Sequence, residues 1–137
     1  MDPICDTILW YAIGRSPAMS GTPIVSRFLR ERVVEITEKQ STLFCGLVKE
    51  ISEPVHRQSH DIQMQAIWDE IFIDGVINWG RILVIVAFAA TLARHYYLST
   101  GDEDYAEHIA YKTKEYFNDR LAPWVIEQGG WKILIGQ

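Results

Sequence analysis

Cysteine is scarce. Cys5 and Cys45 are the only two in 137 residues, too few for a disulfide framework, and neither has a histidine at metal-ligand spacing, so free thiols in a reducing compartment are expected. A run long enough to span a bilayer is also missing. The longest apolar stretch, Ile82 to Ala93, is 12 residues between Arg81 and Arg94. At 1.5 Å per residue it reaches about 18 Å of a hydrocarbon core roughly 30 Å thick, which predicts a buried helix and no transmembrane anchor. The opening, Met1 to Asp6, has no basic segment followed by an apolar one, so no signal peptide is expected. Lys and Arg form no cluster, and 13 of them against 18 Asp and Glu leave a net charge of -5, which removes the usual electrostatic route to nucleic acid or anionic lipid.

Catalytic signatures are absent as well. There is no glycine-rich phosphate loop, no nucleophile elbow and no His-Glu-x-x-His zinc pattern. His56 and His60 lie four apart, but Pro54 and the polar surroundings predict a loop and a solvated pair. Asp102, Glu103 and Asp104 read as a solvated helix start, where acids suit the macrodipole. The chain therefore points to no enzyme, no metal and no cofactor.

What the sequence does have is apolar residues at helical spacing almost everywhere, without strand alternation or hairpin turn pairs, which predicts a single all-α domain over residues 1–137. A first helix is expected over Asp6 to Ala12, closed by Gly14, and a loop over Arg15 to Thr22. Thr22-Pro23 then supplies a capping hydroxyl and a first-turn proline for a helix whose Val25, Phe28, Leu29, Val33 and Ile36 share a face. Phe44, Leu47, Val48 and Ile51 make a third amphipathic segment that stops at Ser52-Glu53-Pro54. Ser59 or Asp61 can cap a fourth, striped by Met64, Ile67, Trp68, Ile71 and Phe72 and ended by Asp74-Gly75. Asn78 can cap the next helix, Trp79 to about Tyr97, which is apolar nearly all round and so belongs at the centre. The following helix carries Ala106, Ile109, Ala110, Thr113 and Phe117 on one face and breaks at Ala122-Pro123. Short helices at Trp124 to Gln128 and Trp131 to Ile135 complete the chain.

Arg81 is the sharpest single residue. A cation in the first turn of a helix opposes the macrodipole, and 12 uncharged residues follow it. Either Glu70 or Asp74 pairs with it, or it is held at a groove edge for an incoming carboxylate, which its fork geometry suits. Gly80 beside it would let a foreign backbone approach closely. The stripes of Phe44, Leu47, Val48, Ile51 and of Met64, Ile67, Trp68, Ile71 could wall such a groove, with Val84 and Phe88 as floor, or could equally be plain core.

Asp74-Gly75-Val76-Ile77-Asn78-Trp79-Gly80-Arg81-Ile82 resembles the first homology region of the Bcl-2 family of cell-death regulators. Ala122-Pro123-Trp124 through Gly129-Gly130-Trp131 is similar to its second region. The resemblance implies a bundle of about seven helices around a buried central hairpin, with a hydrophobic surface groove that takes up the amphipathic Bcl-2 homology 3 (BH3) helix of a pro-apoptotic member. It implies that a ligand Asp meets Arg81 and that Asn78 is a polar contact to the ligand. Partners would be helix-only activators and the Bax/Bak-type executioners. Leu29-Arg30-Glu31-Arg32-Val33-Val34 departs from the family's own Leu-x-x-x-Gly-Asp, so this chain is expected to inhibit death rather than offer its own helix. A short first loop and the absence of a hydrophobic tail resemble virus-encoded survival members. The expectation is then a protein of the host cytosol, recruited to mitochondria by its partners. The alternatives are a pore-forming pro-apoptotic member and a self-associating module whose groove is covered in a homodimer.

Overall fold

The structure, a computed structural model, describes residues 3–14, 24–52 and 57–135. Its helices are α1 (Pro3–Ile13), α2 (Ile24–Lys39), α3 (Ser41–Ser52), α4 (Arg57–Ile71), α5 (Trp79–Thr100), α6 (Glu103–Tyr116), α7 (Ala122–Glu127) and α8 (Trp131–Ile135). No strand occurs among the described residues. The expected loop over 15–22, the Thr22-Pro23 cap, the stop at 53–54, His56 and the end of the chain lie outside them.

The core forms around α5, whose buried residues run from Ile82 to Tyr96 on all sides. α1, α2 and α6 pack directly on it, and α3 lies across it between α2 and α4. Both ends of α5 are fixed by chemistry visible in the sequence. Asn78 caps the first turn, its Oδ1 accepting from the Arg81 N–H at 2.9 Å. Gly101 closes the last turn at φ 71°, a left-handed conformation that favours glycine, with its N–H donated to Tyr97 O at 2.7 Å. Asp102 immediately caps α6 through the Tyr105 N–H at 3.1 Å, which makes the α5–α6 hairpin. Among the described helices α5 buries the most residues, from Ile82 to Tyr96, while α6 buries one face, Tyr105, Ala106, Ile109, Ala110, Thr113 and Tyr116, and leaves Tyr111 exposed.

Several boundaries differ from expectation, among them the end of α6 at Tyr116 and the start of α7 at Ala122. α1 begins a turn early because Pro3 is already pre-set for a first helical position. α4 begins at Arg57, so Ser59, His60 and Asp61 lie inside the helix and none of them is its cap. α5 runs on to Thr100, past the expected end near Tyr97, and at 22 residues it is long and apolar enough by length and composition to cross a membrane, which the 12-residue uncharged run alone was not. Between α6 and α7 the chain widens into a π-helical turn, Phe117–Leu121, just before Pro123, which has no N–H to continue an α-helical ladder.

That π turn helps bring the two motifs together. Phe117 stacks on Trp131 at 5.5 Å, and Trp79 contacts both Trp124 at 5.1 Å and Trp131 at 5.5 Å. Trp124 and Trp131 of the second motif thus clamp Trp79 at the start of α5, two residues before Arg81. Leu134 of α8 completes the clamp from above, against Leu29 and Leu83.

Candidate ligand groove

On the outer side of α5, α3 and α4 stand apart and leave an apolar hollow of about 270 Å³. Its lining is Leu43, Phe44, Leu47, Ile67, Glu70, Ile71, Val84 and Phe88. Phe44 and Phe88 meet edge to face across it, 5.5 Å between centroids. Six of the residues read as a groove from the sequence are therefore brought together: Phe44, Leu47, Ile67, Ile71, Val84 and Phe88.

Val48, Ile51, Met64 and Trp68 are not part of that lining, and all four are buried in the core. The reason is geometric. A stripe at i, i+3, i+4 and i+7 is wide enough to serve two neighbours, so α3 turns Val48 and Ile51 inward and Leu43 and Leu47 outward. α4 likewise splits, Ile67 and Ile71 facing the hollow and Trp68 turning towards α6. Trp68 lies against Tyr116 there at 5.0 Å, with its Nε1–H buried and unpartnered among the described residues. Val48 borders a second hollow of about 280 Å³ on the far side of α3, with Tyr11, Cys45, Lys49, Thr91 and His95. Sequence reasoning missed Leu43 and Glu70. Leu43 lies one turn before Leu47 and was legible on that ground; an acid among apolar lining residues gave no signal.

The outer wall, α4, is braced from behind by polar contacts. His108 Nε2 lies 2.9 Å from both carboxylate oxygens of Asp61. Asp69 accepts from the Tyr116 hydroxyl at 2.9 Å and from Arg120 at 3.3 Å. Burial, helped by the Asp69 contact, pushes the Tyr116 hydroxyl up to about 12.

Arg81 is not part of that lining, but it lies on the same face of α5 as Val84 and Phe88, three and seven residues before them, so that face runs on from the hollow's floor to Arg81. Of the partners considered for it, the structure selects Asp74. Nη1 donates to Asp74 Oδ1 at 2.6 Å and Nη2 to Asp74 Oδ2 at 2.9 Å, while Nη1 also donates to Val76 O at 2.7 Å. The Arg81 fork, followed by the Val76 N–H, holds the Asp74 carboxyl down at about 2, and the same pairing raises Arg81 further above its ordinary value. Asn78 is engaged as the helix cap. Gly80 is exposed, and a Cβ there would meet only Asn78 Oδ1, at 3.4 Å, so the free fold does not itself demand glycine.

This juxtaposition of two clamped motifs and an apolar hollow whose floor runs on to an arginine has relatives. Residues 29–131 match the family model of the apoptosis regulator proteins, Bcl-2 family. The chain belongs to the Bcl-2 family. Among curated Bcl-2 relatives it is similar to Bcl-2-related protein A1 of cattle, 29% identical over 68 residues, 48% of this chain and 39% of that protein. It is also similar to pig Bcl-2-like protein 1, 34% identical over 74 residues, 52% of this chain and 30% of that one. Apoptosis regulator R11 of Xenopus laevis matches over 117 residues at 27% identity, 82% of this chain and 55% of its own. The matches thus span between about a third and a little over half of the relatives' length. Among solved Bcl-2 structures, the zebrafish pro-survival protein NRZ in its complex with Bad BH3 superposes with a TM-score of 0.81 at 21% identity, covering 97% of this chain and 87% of that one. Unliganded NRZ gives 0.78 at 24% identity, with 97% and 86% covered. At those identities the shared property is the fold.

Proposed function

We propose that this protein is a pro-survival regulator of apoptosis that sequesters the amphipathic BH3 helix of pro-apoptotic Bcl-2 proteins. The observation that carries the reading is the apolar hollow of Leu43, Leu47, Ile67, Ile71, Val84 and Phe88, floored by the α5 face that ends at Arg81. Apolar residues on one side of an incoming helix would fill the hollow, and a helix Asp would meet Arg81. Mechanism is binding alone, with a few anchors dominating the energy. The same reading has the protein act from the cytosol and reach the mitochondrial surface through its partners, which include helix-only activators and Bax/Bak-type executioners.

The α2 departures support inhibition over killing. Leu29 and Val33 are fully buried, and Arg30 pairs with Asp6 of α1, so presenting α2 as a ligand would break the core without supplying the Gly and Asp of the family signature. A pore-forming role has one observation in its favour, the length of α5. It would require α5 to leave the core it organises, and dye release from liposomes on adding an activating helix decides it.

The test is calorimetric titration with a panel of synthetic pro-apoptotic helices, beside Arg81→Glu. Nanomolar binding to at least one helix is expected, falling at least about thirtyfold in the variant, as for loss of a desolvated charge contact with a like charge put in its place. Silence across the panel from a folded sample would refute the reading, and light scattering would then ask whether a second copy covers the groove.

A further inference from the structure

The contact between Asp74 and Arg81 leaves part of the guanidinium unused. Arg has five N–H donors in a fixed planar array. Three are engaged, two from Nη1 and one from Nη2, all toward Asp74 and Val76 O. The remaining two are Nε–H and the Nη2 hydrogen beside it, and no described residue accepts from either. They point in parallel from one edge of the guanidinium, the arrangement a carboxylate accepts with both oxygens. The side chains of Arg81 and Asp74 remain 29% and 50% exposed, so solvent and ligand can reach the pair.

Asp74 is itself held. Its Oδ1 accepts from the Val76 N–H at 3.0 Å across a turn in which Gly75 has φ 74°. Arg81 is therefore fixed at both ends, its backbone by Asn78 and its guanidinium by Asp74 and Val76 O.

We propose that Asp74 is a positioning residue: it locks one edge of Arg81 so that the Nε/Nη2 edge is presented in a set place for one short carboxylate, Asp rather than Glu, on an incoming helix. This rests on the groove reading above. Apolar anchors in the hollow fix the ligand backbone, so one added methylene displaces the carboxylate by about 1.5 Å. A free arginine would follow that displacement and a locked one does not. The opposite role, Asp74 as an internal competitor for Arg81, makes the opposite prediction for its removal.

The experiment uses the Bad BH3 helix, synthesised with Asp, Glu or Ala at the position that would meet Arg81, titrated into the wild type and into Asp74→Ala, whose helicity is checked by circular dichroism. The wild type should prefer Asp over Glu by at least tenfold. In Asp74→Ala that preference should shrink below threefold while the Ala form binds both proteins within twofold. A preference unchanged in the variant, an equal loss for all three helices, or tighter binding of the Asp form would overturn the proposal. A second readout is independent of the groove: the Arg81 Nε–H signal in ¹⁵N-labelled protein titrated with N-acetyl-aspartate. A shift in the wild type that is lost in Asp74→Ala upholds the locked edge even if no helix binds, in which case the groove reading alone fails. An unmoved signal in the wild type overturns the proposal even if every helix binds.

Discussion

Two Asp–Arg pairs divide the labour of this molecule. At the junction of α1 and α2, Arg30 Nη2 reaches Asp6 at 3.1 and 3.4 Å, its guanidinium lying over Trp10 at 5.1 Å, with the side chains of Arg30 and Asp6 only 14% and 4% exposed. Beyond the hollow's floor, Arg81 and Asp74 meet at 2.6 and 2.9 Å but stay open to solvent. The shorter, better aligned pair is the one that matters less to folding. Solvent screens an exposed pair, whereas a buried ion left without its partner cannot be rehydrated. One pair has its charge committed to the fold, and the other keeps a charge available for a partner.

The largest test of that contrast is to break the buried pair. Asp6→Ala should destabilise by about 2–3 kcal/mol, because the buried charged hydrogen bond between Asp6 and Arg30 is lost. Asp74→Ala should lower the urea midpoint far less, because solvent screens the exposed pair. Comparable losses in the two variants would mean that burial does not separate them.

The contrast also explains what could be read from the sequence. α5 was legible because a helix apolar on every side has nowhere to go but the centre, and Asn78 was legible as its cap because the residue type and the position agree. The Asp6 partnership was not: its arginine lies 24 residues away on another helix, and nothing in Asp6's own neighbourhood marks it as buried. The groove was half legible. Helical period locates the apolar side of α3 and α4 but does not divide it, so Val48 and Trp68 looked equivalent to Leu47 and Ile67 until neighbouring helices claimed them. Arg81 could be singled out by its position against the macrodipole, yet the choice between Glu70 and Asp74 needed the turn at Gly75, which folds Asp74 back onto the fork.

A smaller effect separates the two ends of the Arg81 frame. Asn78→Ala removes the cap of α5 and should cost about 1 kcal/mol, read as a lower urea midpoint. The tryptophan clamp of Trp79, Trp124 and Trp131 remains and keeps α5 in place. If Asn78 serves only as a cap, the Asp-over-Glu preference of the groove survives the substitution; if that preference falls with it, backbone and guanidinium are fixed as one unit.

The smallest effect is the pH response of the exposed pair, and its sign follows from the direction of the shift. The Asp74 carboxyl is held at about 2 in the folded protein, against 3.8 ordinarily, so the unfolded chain binds its proton first on acidification. The stabilisation is thus fully present above about pH 4 and is lost as the pH falls towards 2. A gap in unfolding free energy between wild type and Asp74→Asn should close over that window, and the ¹³C carboxyl signal of Asp74 should titrate with a midpoint near the lower end of it. The high-pH side belongs to Tyr116 behind α4: its hydroxyl is raised from 10.0 to about 12, so its contribution persists below pH 10 and is lost as the pH climbs towards 12. Acid therefore loosens the groove's arginine and alkali loosens its wall. An Asp74 midpoint at the ordinary carboxylate value would show that the fork is not closed in solution, and the distinction between a charge held ready and a charge left free would fall with it.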